Sequence, residues 1–226
     1  MSIHAKLVFL FDVDNTLLDN DGVIADLKQH LKREIGQEGA QCYWDILEQL
    51  RTELGYVDYL GALQRLRAQA PHAPGLLTIS SFLIDYPFAK RLFPDALEAV
   101  AHVKRWGTAA ILSDGDVVFQ PHKVQRSGLF KAMDGNVLIY MHKELELADV
   151  MGRFPADHYV MVDDKLRILA EIKKFWGSQV TTIFVRQGHY ALDSTILATY
   201  PAADRTIERI GDLLTCQFPN FGPADG

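Results

Sequence analysis

A chain of 226 residues has room for one large domain, or for a core with a smaller insert. Apolar residues make up 48% of it, which excludes a disordered polymer, and a net charge of -6 argues against a general nucleic-acid binder. No apolar run approaches the roughly 18 residues of a membrane span. The N-terminal residues pass straight into a strand pattern with no signal-peptide signature. Cys42 and Cys216 lie far apart without metal-ligand spacing, so a reduced, cytoplasmic chain is the expectation.

The first element is Leu7 to Phe11, an unbroken apolar block that reads as a strand buried on both faces. Asp12 and Asp14 follow two residues apart, so an extended backbone projects them to one side, where they need a cation or a proton between them. Asn15 and Thr16 suit a turn. From Val23 to about Leu83 the pattern is helical. Val23, Leu27, Leu31 and Ile35 define a first helix stopped at Gly36, and Tyr43, Ile46, Leu47 and Leu50 a second ending near Gly55. Tyr59 to Leu66 define a third, stopped before Pro71, and Leu76 to Ile84 a shorter fourth. Pro94 opens another helix, with Gly107 as its expected C-terminal cap. Strand and helix then alternate: strand Ala109–Leu112, helix Val117–Ser127 weakened by Pro121, strand Asn136–Met141, helix Lys143–Phe154. Strand Tyr159–Val162, helix Lys165–Trp176, strand Thr181–Val185 and a last helix Thr206–Leu214 complete the series. The tail from Pro219 to Gly226 reads as loose. Regular alternation predicts an α/β, Rossmann-like parallel sheet with helices on both faces, over residues 1–18 and 91–226. Residues 19–90 form a small all-helical unit inserted after the first strand.

In such a sheet ligands sit beyond the carboxyl ends of the strands. The first strand ends in Asp12 and Asp14, the second in Ser113-Asp114-Gly115-Asp116, the third in His142-Lys143 and the fourth in Asp163-Asp164-Lys165. Carboxylates without nearby cysteine suit magnesium, and a hydroxyl, backbone N–H groups near Gly115 and a lysine suit a phosphate.

This ordered set resembles the haloacid dehalogenase superfamily. Asp12-Val13-Asp14-Asn15-Thr16 is similar to its first motif, Ile111-Leu112-Ser113 to the second, Lys143 to the third and Val162-Asp163-Asp164 to the fourth. The helical insert is similar to the cap that the family places between the first two motifs. The resemblance implies that Asp12 is the nucleophile that forms an aspartyl-phosphate and Asp14 the general acid and then base. It implies that Thr16 holds the loop, that Ser113 and Lys143, with Asp114 beside them, bind the transferring group, and that magnesium is held by Asp12, the Asp14 carbonyl, Asp164 and Asp163. Asp14 favours the phosphatase branch, because dehalogenases lack this second aspartate. Ile168 stands where many members carry a further acid, and Asp163 is the substitute oxygen source. The expected activity is hydrolysis of a small phosphorylated metabolite, with no nucleic-acid or membrane partner. The alternatives are a sugar phosphomutase, a 2-haloacid dehalogenase and a non-catalytic phosphometabolite-binding protein. Tyr43 and Trp44 are candidate cap contacts, Asn20 and Asp21 candidate gate residues, His142, beside Lys143, a candidate to touch an acidic substrate, and Arg186 and His189 rim or surface residues.

Overall fold

A computed structural model describes residues 6–69 and 75–218. The expected stop before Pro71 and the loose tail from Pro219 lie outside those residues. Strand β1 (Leu7–Phe11) is followed by helices α1 (Asn20–Leu54), α2 (Tyr59–Gln69) and α3 (Leu76–Asp85), a 3-10 turn at Phe88–Arg91, and α4 (Ala96–Val103). Then come β2 (Thr108–Asp114), α5 (Phe119–Arg126), α6 (Leu129–Ala132), β3 (Val137–Tyr140), a 3-10 turn at Lys143–Leu145, α7 (Leu147–Arg153), β4 (His158–Asp163) and α8 (Leu166–Trp176). After a 3-10 turn at Gly177–Gln179 come β5 (Val180–Val185), the short α9 (Gly188–Leu192) and α10 (Ser194–Thr199), β6 (Arg205–Ile207) and a 3-10 helix at Ile210–Thr215.

The six strands form one sheet in the order β3-β2-β1-β4-β5-β6, and every pair is parallel. Successive residues of β1 feed opposite faces, as a pleated strand requires. Phe9 and Phe11 join Ile111, Val162 and Val185 in one apolar cluster, and Val8 and Leu10 join Leu112, Met161 and Leu169 in the other. A strand buried on both faces must read as continuously apolar, which is why the first block shows no alternation.

The inserted helices pack on one another, α1 against α2 and α3. Helix α1 is continuous in hydrogen bonding but not in direction. Gly36 has φ 72 and ψ 179, outside the helical range. Lys28 Nζ lies 5.4 Å from the centre of the Trp44 ring. Sixteen residues of straight helix would hold those positions about 24 Å apart, so α1 is a hairpin folded at Gly36. The segments that lead into and out of the insert are stapled together. Asp19 N donates to Arg91 O at 2.7 Å, Phe93 N donates to Leu17 O at 3.0 Å, and Arg91 also pairs with Asp26 and Asp19.

Four expectations need correction. Lys143–Phe154 is not one helix: a 3-10 turn comes first, because the Lys143 backbone N–H is held by Asp114 and its side chain is drawn inward. Thr206–Leu214 is not a helix: Arg205–Ile207 pairs with Ile183–Val185 as an edge strand, and a 3-10 helix follows. Pro121 does not weaken α5. It stands in the first turn, where no intrahelical partner for an N–H is lost, and Asp116 Oδ1 accepts from Val118 N and Phe119 N in front of it. Gly107 does not cap α4, which ends at Val103. A Cβ at Gly107 would stand 2.1 Å from the Leu7 carbonyl oxygen, so glycine there permits close approach to β1.

Candidate active site

Strands β1, β2 and β4 end beside one another, and the loops leaving them and β3 bring the strand-end residues together. Lys143 is fully buried, with Nζ 2.5 Å from Asp12 Oδ1 and 2.7 Å from Asp163 Oδ2, and it also donates to Leu112 O at 3.3 Å. Burial alone would strip its proton, but the negative charges of Asp12, Asp163 and Asp114 hold it well above the ordinary lysine range. The lysine therefore stays cationic at neutral pH.

Asp12, Asp163 and Asp164 are all buried, and one carboxylate oxygen from each falls within 4.8 Å of the others. Asp12 Oδ2 and both oxygens of Asp164 have no hydrogen-bond partner among the described residues. Buried polar atoms normally find partners, and an unpaired buried carboxylate is costly. Burial accordingly pushes the Asp164 carboxyl well above its ordinary range, and it raises Asp163 too despite the neighbouring Lys143. Three hard oxygen donors with unused lone pairs fit a divalent cation. The Asp14 side chain is outside this group.

The side chains of Asp12 and Asp14 diverge to different partners. The chain turns at Asn15, whose φ is 62, and each aspartate takes its own lysine. Lys123 Nζ donates to Asp14 Oδ1 at 2.7 Å and Oδ2 at 2.9 Å, and to Asn20 Oδ1 at 3.2 Å. Lys123 is buried, whereas the Asp14 side chain is 26% exposed, enough to meet a ligand. Gln120 Nε2 donates to Ser113 Oγ at 3.0 Å and more distantly to Asp14 Oδ2 at 3.4 Å. Sequence reasoning missed both Gln120 and Lys123. The available signal was their three-residue spacing on one face of α5, the face that buries Val124.

Asp114 Oδ1 accepts from the Lys143 backbone N at 2.7 Å, so its carboxylate braces the Lys143 loop, and burial raises its pKa. Thr16 is buried, and its carbonyl accepts from Gln187 Nε2 at 3.3 Å. Gln187 Oε1 accepts from Ile210 N at 2.5 Å, so the first-motif loop is tied to the C-terminal 3-10 helix.

A cavity of about 830 Å³ separates the sheet edge from the inserted helices. Asp14, Gln120, Lys123 and Lys165 line its floor, and Trp44, Arg51 and Val57 line the helical side. The two candidate aromatics divide. Tyr43 is core, donating its hydroxyl to Tyr59 O at 2.9 Å, while Trp44 faces the cavity. Asn20 and Asp21 both line it. Asp21 accepts from His189 Nδ1 at 2.7 Å, which places His189 on the rim with His142, whereas Arg186 pairs with Glu208 at the surface.

A parallel α/β sheet with buried acids and a buried lysine at its carboxyl edge, roofed by helices inserted after β1, defines a hydrolase-like α/β protein. The chain belongs to the haloacid dehalogenase-like hydrolase family, whose profile matches residues 7–175. A solved haloacid dehalogenase-like hydrolase from Burkholderia xenovorans LB400 is 60% identical, with 95% of this chain and 100% of that chain covered and a TM-score of 0.90. The L-2-haloacid dehalogenase of Xanthobacter autotrophicus is similar in fold at 17% identity, covering 92% and 96% of the two chains with a TM-score of 0.57. A magnesium-bound HAD hydrolase from Bacillus subtilis is similar at 15% identity, covering 93% and 98% with a TM-score of 0.60. No curated protein matches. Among the described residues no helix is long and apolar enough to cross a membrane.

Proposed function

We propose that this hydrolase is a magnesium-dependent phosphatase acting on a small phosphorylated metabolite, with residues 19–90 as its cap. The observation that carries this reading is the set of buried, unpartnered carboxylate oxygens on Asp12 and Asp164 beside Asp163. Asp12, Asp163, Asp164 and the Asp14 backbone carbonyl would hold the magnesium ion, which when bound supplies charge neutralisation for the phosphoryl oxygens.

The chain's own groups supply the rest. An oxygen of Asp12 attacks phosphorus, the P–O bond to the leaving group breaks, and Asp14 in its protonated form gives that oxygen a proton. Asp14, now a carboxylate, takes a proton from water as the water oxygen attacks the aspartyl-phosphate, releasing inorganic phosphate and restoring Asp12. Lys143 balances charge on Asp12 and on the transferring group, and Ser113 offers its hydroxyl as a donor. Thr16 and Asp114 act by holding the loops that carry Asp14 and Lys143. Lys123 and Gln120 fix where the Asp14 carboxylate points.

The presence of Asp14 supports a phosphate ester over a haloacid, because a halide leaving group needs no proton. The test is phosphate release from a metabolite panel by the purified protein with magnesium, beside Asp12→Asn. Release that requires both magnesium and Asp12 is expected. Halide release from a 2-haloacid with no phosphate release from the panel would overturn the reading.

A further inference from the structure

Tyr190, on α9, is addressed by two cations from opposite sides of the cavity. Arg51 Nη2, from the second leg of α1, donates to the Tyr190 hydroxyl at 3.0 Å. Lys165 Nζ, from the loop after β4, stands 5.4 Å from the centre of the same ring. All three residues line the cavity. Lys165 has no carboxylate within 4 Å among the described residues, although Asp12, Asp164 and Asp163 sustain its charge from further off, and the acid paired with Arg51 is Glu48, at a loose 3.7 Å on an exposed side chain. The other cations near the site are already matched: Lys143 to Asp12 and Asp163, Lys123 to Asp14, and Arg167 to Glu144. Two positive groups that converge on one ring repel each other, and an anion between them removes that repulsion. A guanidinium and an ammonium beside a phenol hydroxyl also offer the donors that a carboxylate or phosphate accepts.

We propose that Arg51, Lys165 and Tyr190 form a second anion subsite, and that the substrate's leaving group carries an acidic group of its own. This rests on the phosphatase reading for the phosphoryl end, but the subsite itself is a matter of binding. A cavity of about 830 Å³ is ample for a small trianionic or tetraanionic ester. Lys165 belongs to the core and Arg51 to the insert, so an acid held by both would draw the two sides of the cavity together.

The test uses two matched pairs: phosphoglycolate against ethyl phosphate for a carboxylate, and propane-1,3-diol bisphosphate against propyl phosphate for a second phosphate. Binding of all four to Asp12→Asn, which cannot turn over by the proposed route, is measured by calorimetry with magnesium. The same titrations use Asp12→Asn combined with Arg51→Gln, Arg51→Lys or Lys165→Gln. In one pair or the other, the acidic ester is expected to bind about tenfold more tightly than its partner. Arg51→Gln and Lys165→Gln should each remove most of that preference, and Arg51→Lys should keep part of it. The pair that shows the preference identifies the acid. Equal affinities within both pairs, no binding of any ester, or a preference that survives both Gln variants would overturn the subsite. Phosphate release from the same esters by the wild-type enzyme is followed in parallel. Selective binding without release would sink the hydrolytic reading and leave the subsite standing.

Discussion

Lys123 Nζ contacts both carboxylate oxygens of Asp14, at 2.7 and 2.9 Å, across 109 residues of sequence. The ammonium is buried while the carboxylate is partly open to the cavity, so the pair has a fixed end and a working end. Lys123 also donates to Asn20, the first residue of α1. One lysine thus aligns the proposed acid with the point where the helical insert begins.

Replacing this lysine tests its positioning role. Lys123→Met keeps the stem and removes the charge, leaving Asp14 free to turn into the cavity. The expected result is a fall in kcat of about 10- to 100-fold, in line with the loss of an oriented proton donor, with KM changed less. The stability loss should be about 1–2 kcal/mol, because the exposed side of Asp14 can be hydrated. Steady-state kinetics on the best phosphoester, together with urea unfolding, checks both. An unchanged kcat with the full stability loss would make Lys123 purely structural.

Asp164 gives a prediction with a definite sign in pH. Burial raises its folded-state pKa well above the ordinary 3.8. The folded chain therefore binds a proton more readily than the unfolded chain between those two values. In EDTA, this group's contribution to stability falls as pH rises through that window and is restored on acidification. Asp164→Asn should then be more stable than the wild type at pH 7 by about 1–3 kcal/mol, with the gap closing as pH drops. Magnesium should reverse the order, raising the melting temperature of the wild type and leaving Asp164→Asn unmoved. Thermal unfolding across pH, with EDTA or magnesium, reads all three.

Asp14→Asn separates the two chemistries open to this fold. A phosphate monoester needs a proton at its leaving oxygen, and amide cannot deliver one. In the first turnover, release of the alcohol from an alkyl phosphate should fall at least ~100-fold, and release of nitrophenol from 4-nitrophenyl phosphate, whose leaving group needs little help, should fall much less. A stopped-flow burst of nitrophenol with that ester would mark the accumulated covalent intermediate. Equal losses on the two esters would argue against Asp14 as the acid.

Gly36 tests the hairpin in α1. Its φ of 72 and ψ of 179 lie in a region that only glycine enters without strain, although nothing within 4 Å would obstruct a Cβ. Gly36→Ala should therefore cost about 1–3 kcal/mol from backbone strain alone, measured by chemical denaturation. Gly152, where likewise nothing stands within 4 Å of a Cβ but which lies inside α7, is the control, and alanine there should be neutral or slightly stabilising.

Much of the fold was legible because it is written in local, periodic signals. Leu7–Phe11 had to be a doubly buried strand, and Val23, Leu27 and Leu31 had to share a helix face, whatever the rest of the chain did. The acids and lysine at the strand ends were legible for a related reason: once strands are parallel, their carboxyl ends must meet at one edge. Signals that depend on distant partners were not. Arg205-Thr206-Ile207 is a strand only because β5 leaves an unpaired edge, and Lys143 leaves the helical path because Asp114, from another strand, holds its backbone N–H. Lys123 looks like any polar helix residue until α5 turns it toward Asp14. Arg51 and Lys165 meet at Tyr190 only after the insert folds over the sheet. Sequence by itself settled the periodicity, the strand ends and the family. The tertiary structure alone decided which charges neutralise each other and which remain for a ligand, because that depends on distances of a few ångströms between residues that the chain's order leaves a hundred positions apart.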